Sequence, residues 1–323
     1  MTRKRVYITR VIQEEAVALL KEHFDVTMNL EDRVAYREEV MDAVENADAL
    51  LCLINDNVDS EIIRRAGRLK IIANYGVGYN NIDVEEASKK GIIVTNTPGV
   101  LTDATADLAW GLLLAAARRI VESDKFSRAG KYKSWSPTLL LGRSAAGKTL
   151  GVIGAGRIGR AVAKRSRGFD MKVIYHSRNR NKEFENELNA RWVEKEELLR
   201  RSDFVSLHVP LTDETRHMIG EREFEMMKDT AVLINTSRGP VVDEKALVHA
   251  LKQGQIWAAG LDVYEREPDI EEGLIKLDNA VLASHIGSAT IEARTSMALT
   301  AAKNVLSVLN GGEPLTPVNA EDL

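Results

Sequence analysis

Gly151-Val152-Ile153-Gly154-Ala155-Gly156-Arg157-Ile158-Gly159 decides the fold. Residues 149–153 read as an apolar strand, and 157–165 have the spacing of a helix. Between them the glycines fall as G-x-G-x-x-G. Gly154 permits the tight turn, Gly156 lets a pyrophosphate approach the backbone, and Gly159 lets helix pack on strand. The helix start at Arg157 and Ile158 offers free N–H groups and a positive dipole end to an anion. A second strand, 172–175, stands where such a βαβ unit requires it, which separates the motif from a mere tight turn.

That second strand usually ends in an acid that holds the ribose hydroxyls. Here it ends Tyr175-His176-Ser177-Arg178-Asn179-Arg180. Ser177 and Arg178 suit charge-assisted hydrogen bonds to a 2′-phosphate that a carboxylate would repel. The expected cofactor is therefore NADPH, with NADH as the alternative. The plainer reading makes Arg178 and Arg180 a solvated helix start.

Outward from this unit, strands at 204–207, 231–235, 258–261 and 280–283 continue the series, with helical patterns between most of them. Upstream, 5–9, 49–54, 70–74 and 92–95 read as strands, and 13–23 and 83–90 as helices. Alternation of this kind predicts parallel sheets covered on both faces. A long helix is predicted over 102–121. Its middle is apolar nearly all round, which suits burial between domains or subunits, or at the centre of one domain. Asp103 and Asp107 near its start and Arg118-Arg119 near its end suit the helix dipole. Residues 123–148 read as an irregular connecting loop, and 291–309 as a last helix before Gly311-Gly312.

Three further polar groups follow predicted strands. They are Asn235-Thr236-Ser237-Arg238-Gly239, Asp262-Val263-Tyr264-Glu265-Arg266-Glu267-Pro268 and Ser284-His285-Ile286-Gly287. In a doubly wound sheet the carboxyl ends of strands face the ligand crevice, so Arg238, Asp262, Glu267 and His285 are expected to converge. Arginine grips a carboxylate and polarises the neighbouring carbonyl. Histidine gives a proton to the oxygen that becomes a hydroxyl, and a carboxylate on the imidazole orients it and keeps it protonated. Together they suit reduction of a 2-keto acid. Taken singly, each has a bland reading: a strand-end histidine, a surface cation, a turn residue before Pro268. His23, His176, His208, His217 and His249 lack such convergence and read as structural or solvated. No metal is expected, because no cluster has ligand spacing, and no serine sits on a nucleophile elbow.

The totals narrow the classes. A chain of 323 residues with 44% apolar content suits two domains. A formal charge of −4 supplies no bulk positive field for nucleic acid or an anionic membrane. No apolar run approaches the ~20 residues of a membrane span, and Met1-Thr2-Arg3-Lys4-Arg5 has no apolar segment behind it, so a cytoplasmic location is expected. The lone cysteine, Cys52, sits in an apolar run and reads as a buried strand thiol.

Over essentially its whole length the chain resembles the D-2-hydroxyacid dehydrogenase family. The resemblance rests on residues 151–159, Val209-Pro210-Leu211-Thr212, 235–244, Gly260-Leu261-Asp262-Val263 through Glu267-Pro268, and His285-Ile286-Gly287-Ser288-Ala289-Thr290. It implies an α/β protein of two doubly wound parallel-sheet domains with a cleft between them. A Rossmann cofactor domain would span 101–290, and a flavodoxin-like substrate (lid) domain 1–100 with 291–323. It implies Arg238, Glu267 and His285 as the catalytic set and Asp262 near the nicotinamide carboxamide. Cofactor contacts are implied at Thr105, Arg157, Ile158, Val209, Pro210 and Thr236. Asn74-Tyr75-Gly76-Val77-Gly78-Tyr79 looks like the family's substrate loop, where the backbone at Val77 and Gly78 binds the substrate carboxylate, and Leu53 looks like a pocket residue. A homodimer is implied.

Within the family, residues 96–106 and 175–180 most resemble glyoxylate/hydroxypyruvate reductases. 2-Ketogluconate reductases share the same type of strand end. Trp135 stands alone where some glyoxylate reductases carry two tryptophans. An NAD-dependent phosphoglycerate dehydrogenase is a rival enzyme, disfavoured by the missing acid at Ser177. A nucleotide-sensing, corepressor-like binding protein is the rival from another class.

Overall fold

The computed structural model describes residues 3–319. Met1 and Thr2 of the charged start, and residues 320–323 of the expected C-terminal segment, lie outside the described residues. The chain divides into two compact units: Met1–Leu101 with Ala289–Leu323, here the split unit, and Thr102–Ser288, the middle unit.

In chain order the split unit comprises β1 (Arg5–Ile8), α1 (Glu14–His23), β2 (Asp25–Met28), α2 (Arg37–Asn46), β3 (Ala49–Leu53), α3 (Ser60–Arg65), β4 (Ile71–Tyr75), α4 (Val84–Lys89) and β5 (Ile93–Thr95). Its strands form one sheet in the order β2-β1-β3-β4-β5, every pair parallel. That is the flavodoxin-like order. Leu50, Cys52, Ile72 and Val94 on one face are sealed by Val40, Val44, Ile62, Ile63 and Ala87 from α2, α3 and α4. Cys52 is buried as expected, and loss of solvent pushes its thiol well above its ordinary pKa. The chain end covers the β5 edge: Asn319 Oδ1 accepts the Val94 N–H at 2.9 Å, and Val318 N–H donates to Val94 O at 2.8 Å.

The middle unit comprises α5 (Thr102–Ala117), α6 (Ile120–Arg128), β6 (Thr149–Ile153), α7 (Arg157–Arg165), β7 (Lys172–His176), α8 (Lys182–Leu188), β8 (Arg191–Trp192), α9 (Lys195–Arg201), β9 (Phe204–Leu207), α10 (Glu221–Met226), β10 (Val232–Asn235), α11 (Glu244–Gln253), β11 (Ala258–Leu261), α12 (Glu272–Ile275) and β12 (Ala280–Leu282). The last helix, α13 (Ile291–Leu309), returns to the split unit, where it packs on β3, β4 and α1. The seven strands run β12-β11-β10-β9-β6-β7-β8, all parallel. Counted from β6 this is the Rossmann order with one added strand, and it reverses between β6 and β9. Alternation with period two buries Leu150 and Val152 on the α5 and α7 face, and Ile153, Val205 and Leu233 on the other.

Two expectations need correction. The helix predicted over 102–121 ends at Ala117, Arg119 takes a left-handed φ of 54°, and α6 starts at Ile120. The cause lies far along the chain. Arg143 N–H donates to the Ala117 carbonyl at 2.7 Å, and a Cβ at Gly142 would stand 2.5 Å from that oxygen, so another segment crosses the end of α5. For the same reason residues 123–128, predicted irregular, belong to α6. The sequence pattern also missed β2, α2, α3 and β8. β2 and β8 are half-exposed edge strands, and α2 buries only Val40 and Val44, so none carries a strong apolar period.

Candidate active site

The dinucleotide loop is built as its glycines require. Gly154 has φ +100°, and a Cβ there would stand 2.4 Å from His208 O on the neighbouring strand end. At Gly159 a Cβ would lie 2.0 Å from Gly154 O. At Gly156 it would meet nothing within 4 Å: the space above this residue, the N-cap of α7, is open. Arg157 is exposed and Ile158 half-buried, and no side chain caps α7, so its first amides face that space.

At the end of β7, Trp192 Nε1 donates to Ser177 O at 3.1 Å, and Ser177 Oγ donates to Asn179 O at 2.7 Å. Arg180 is committed to Glu185 at 2.6 Å. Arg178 is exposed, and its charge helps hold the Glu214 carboxyl below its ordinary pKa, after hydrogen bonds from Thr212 and the Glu214 backbone. Val209 and Pro210 follow β9, with Val209 Cγ1 3.1 Å from the Cβ position at Gly154. Thr236, one residue past β10, is buried, and among the described residues its hydroxyl has no hydrogen-bond partner. A buried hydroxyl without a partner at one strand end and an open glycine cradle at another, on the carboxyl edge of the same sheet, fit a nucleotide that brings its own polar groups.

The structure brings Arg238, Asp262, Glu267 and His285 together in the middle unit. Glu267 Oε2 lies 2.7 Å from His285 Nδ1, and Glu267 Oε1 accepts the Tyr264 N–H at 3.0 Å. Burial raises the Glu267 pKa, but the His285 hydrogen bond and charge, the Tyr264 amide and Arg238 outweigh it and leave the carboxyl below its ordinary value. Burial lowers the Arg238 pKa, and Glu267 opposes that shift. Arg238 Nη1 donates to Ser237 O at 2.8 Å. His285 adopts a left-handed φ of 55°, held by Asp262, whose carboxylate accepts the N–H groups of Ile286 and Gly287 at 2.7 Å each. Asp262 thus clamps the histidine turn, a function its position in the sequence did not signal. Burial leads in raising its pKa, with Glu267 adding a little. Thr105 lies beside that turn, its Cγ2 3.4 Å from the Cβ position at Gly287.

Other supports escaped the sequence reading. Asn235 Nδ2 donates to Arg238 O at 2.9 Å, and its Oδ1 accepts from the Ser237 amide and hydroxyl, which folds the arginine loop. Glu244 is buried and takes the Glu265 N–H at 2.9 Å. His217, read as structural or solvated, is bonded to Glu265, two residues before Glu267. In the split unit, Leu53 ends β3, and its N–H is held by Asp56 Oδ2 at 2.7 Å; Val77 and Gly78 follow β4. A cavity of about 520 Å³ in the middle unit, lined by Arg119, Trp257 and Asn279, lies at the amino ends of β11 and β12, away from the ligand end of a parallel sheet. Among the described residues no group of three or more His, Cys, Asp or Glu side chains is placed to hold a metal, and no helix is long and apolar enough to cross a membrane.

A dinucleotide cradle with arginine, glutamate and histidine on adjacent strand ends defines a nicotinamide-dependent oxidoreductase. The chain belongs to the D-isomer specific 2-hydroxyacid dehydrogenase family, whose NAD binding domain model matches residues 110–287. It is 54% identical to a glyoxylate reductase of Thermococcus litoralis over 323 residues, 99% of this chain and 98% of that one. Its fold is similar to the crystal structure of a glyoxylate reductase from Paecilomyes thermophila, with TM-score 0.89 and 36% identity over 99% of this chain and 100% of that one. It is also similar to an NADPH-dependent glyoxylate/hydroxypyruvate reductase from Sinorhizobium meliloti in complex with NADP and malonate, with TM-score 0.86 and 31% identity over 99% and 98% of the two chains.

Proposed function

We propose that this protein reduces glyoxylate to glycolate with NADPH, the middle unit holding the cofactor and the split unit contributing to substrate binding. The observation that carries the chemistry is the 2.7 Å contact between His285 Nδ1 and Glu267. With Nδ1–H committed to a carboxylate that stays charged at neutral pH, the imidazolium keeps Nε2–H for the substrate oxygen. The hydride for the carbonyl carbon would come from NADPH held in the glycine cradle. Arg238 draws electron density from the carbonyl and holds the carboxylate, His285 releases its Nε2 proton to the oxygen, and Glu267 stabilises the charged ring before that transfer. The product carries one added hydride and one added proton.

Gly154, Gly156, Arg157, Ile158 and Gly159 would hold the pyrophosphate; Thr105, Val209, Pro210, Thr236 and Asp262 would line the rest of the nucleotide. Ser177 and Arg178 would take the 2′-phosphate, while Arg180 is paired with Glu185. Val77 and Gly78 amides would take the substrate carboxylate, with Leu53 against its small group. Hydroxypyruvate is the second substrate of this reading, favoured by the likeness to the Sinorhizobium glyoxylate/hydroxypyruvate reductase. A cytoplasmic homodimer completes it.

The test is the initial rate of NADPH oxidation with glyoxylate, against NADH under identical conditions. The expected kcat/KM ratio favours NADPH by about tenfold or more, the worth of one charge-assisted contact. Turnover confined to NADH keeps the enzyme and discards the phosphate site; no turnover with either cofactor on glyoxylate or hydroxypyruvate overturns the reading.

A further inference from the structure

In the loop after β4 the backbone carbonyls are held by donors from Asn74, Asn96 and Thr97. Gly76 O accepts the Thr97 N–H at 2.9 Å and Asn74 Nδ2 at 3.4 Å. Val77 O accepts Asn96 Nδ2 at 2.8 Å, and Gly78 O accepts Asn74 Nδ2 at 2.8 Å. Carbonyls only accept, so the amide groups turned toward them are the NH₂ groups. For Asn74 this orientation is supported from the other side, where the Cys52 thiol approaches its Oδ1 at 3.9 Å. Asn74 is fully buried, and Gly76 is pressed so close that a Cβ would stand 2.4 Å from Ile54 Cγ2.

Three consecutive carbonyls are therefore pulled back onto donors. Among the described residues, nothing accepts from the N–H groups of Val77 and Gly78. Successive amides left without acceptors, on a backbone whose carbonyls are tied away, make an anion-binding concavity.

We propose that Asn74 and Asn96 are positioning residues that set the charge specificity of the substrate site. By holding the carbonyls of Gly76 and Val77, whose peptide planes carry the Val77 and Gly78 N–H groups, they keep those amides aimed at an anion, and the Asn74 bond to Gly78 O removes a further oxygen dipole that would repel it. The inference rests on the reading above that these amides receive the keto acid's carboxylate. Neither asparagine touches the substrate. The preferred class is accordingly 2-keto acids over neutral 2-keto esters.

Initial rates with glyoxylate and with methyl glyoxylate, for wild type, Asn96→Ala and Asn74→Asp, test this. Asn96 is half-buried, so its variant is the one expected to fold, with the melting temperature and NADPH fluorescence titration as controls. Asn96→Ala raises KM for glyoxylate by about fivefold to tenfold, the worth of one neutral hydrogen bond, and leaves KM for the ester and NADPH affinity within about twofold. Asn74→Asp, which sets a carboxylate against Gly78 O, gives the larger rise. A parallel rise for acid and ester, or no rise in a folded Asn96→Ala protein, overturns the positioning role. If the wild type does not distinguish acid from ester, the carboxylate reading of Val77 and Gly78 itself falls, whatever the variants do.

Discussion

The two units present polar groups from different parts of the chain. In the middle unit the reacting groups are side chains, and the bonds around them hold ionisable groups in place: Glu267 on His285, and Asp262 beneath the histidine turn. In the split unit the N–H groups of Val77 and Gly78 have no acceptor among the described residues, and Asn74 and Asn96 hold the carbonyls beside them. Side chains that ionise can move protons, whereas amides cannot. On the proposed function the difference leaves proton transfer to the first region alone, while the carboxylate is shared between Arg238 there and the amides of the second.

The largest effect that sharpens this contrast is at the imidazole. His285→Gln is expected to lower kcat by about 10²–10⁴-fold while NADPH affinity, read by fluorescence titration, stays near wild type. A kcat within threefold of wild type would remove the proton donor from the account.

A smaller pair of effects separates binding from folding within the middle unit. At Gly156 a side chain enters open space, so Gly156→Val should weaken NADPH by about tenfold and leave the melting temperature nearly unchanged. At Gly159 a Cβ meets Gly154 O at 2.0 Å, so Gly159→Ala should lower the melting temperature by about 5 °C. The opposite pattern would mean that the loop is a structural turn.

The smallest effect concerns His208, whose ring is bonded to Ser206 and whose pKa burial lowers to about 3. The unfolded chain takes up this proton below its ordinary pKa of 6.5, and the folded chain does not until about 3. Stability from this group is therefore lost as pH falls through that window. His208→Gln should lose less melting temperature than wild type between pH 7.5 and pH 4.5, as differential scanning calorimetry would show. An equal loss would place the acid sensitivity elsewhere.

Much of the middle unit was legible because its signals are local. The strand, turn and helix of 149–165 lie side by side in sequence, and α7 has the bounds that its periodicity and flanking glycines suggest, as does α13 of the split unit. Arg238, Glu267 and His285 stood out because they fall in the short polar segments that follow three apolar strands. What stayed hidden depends on distant partners. The break at Arg119 needs Arg143, which is not near it in sequence. Glu244 looks like any first-turn acid of a helix until Glu265 is placed against it. Asn74 and Asn96 are ordinary polar residues until the fold brings the carbonyls of 76–78 within reach.

The division of labour is tested most directly by measuring kcat and KM for glyoxylate in His285→Gln and Asn96→Ala side by side, with NADPH saturating. The account predicts that His285→Gln moves kcat and leaves KM close to wild type, while Asn96→Ala moves KM and leaves kcat close to wild type. Both variants moving the same parameter would contradict it.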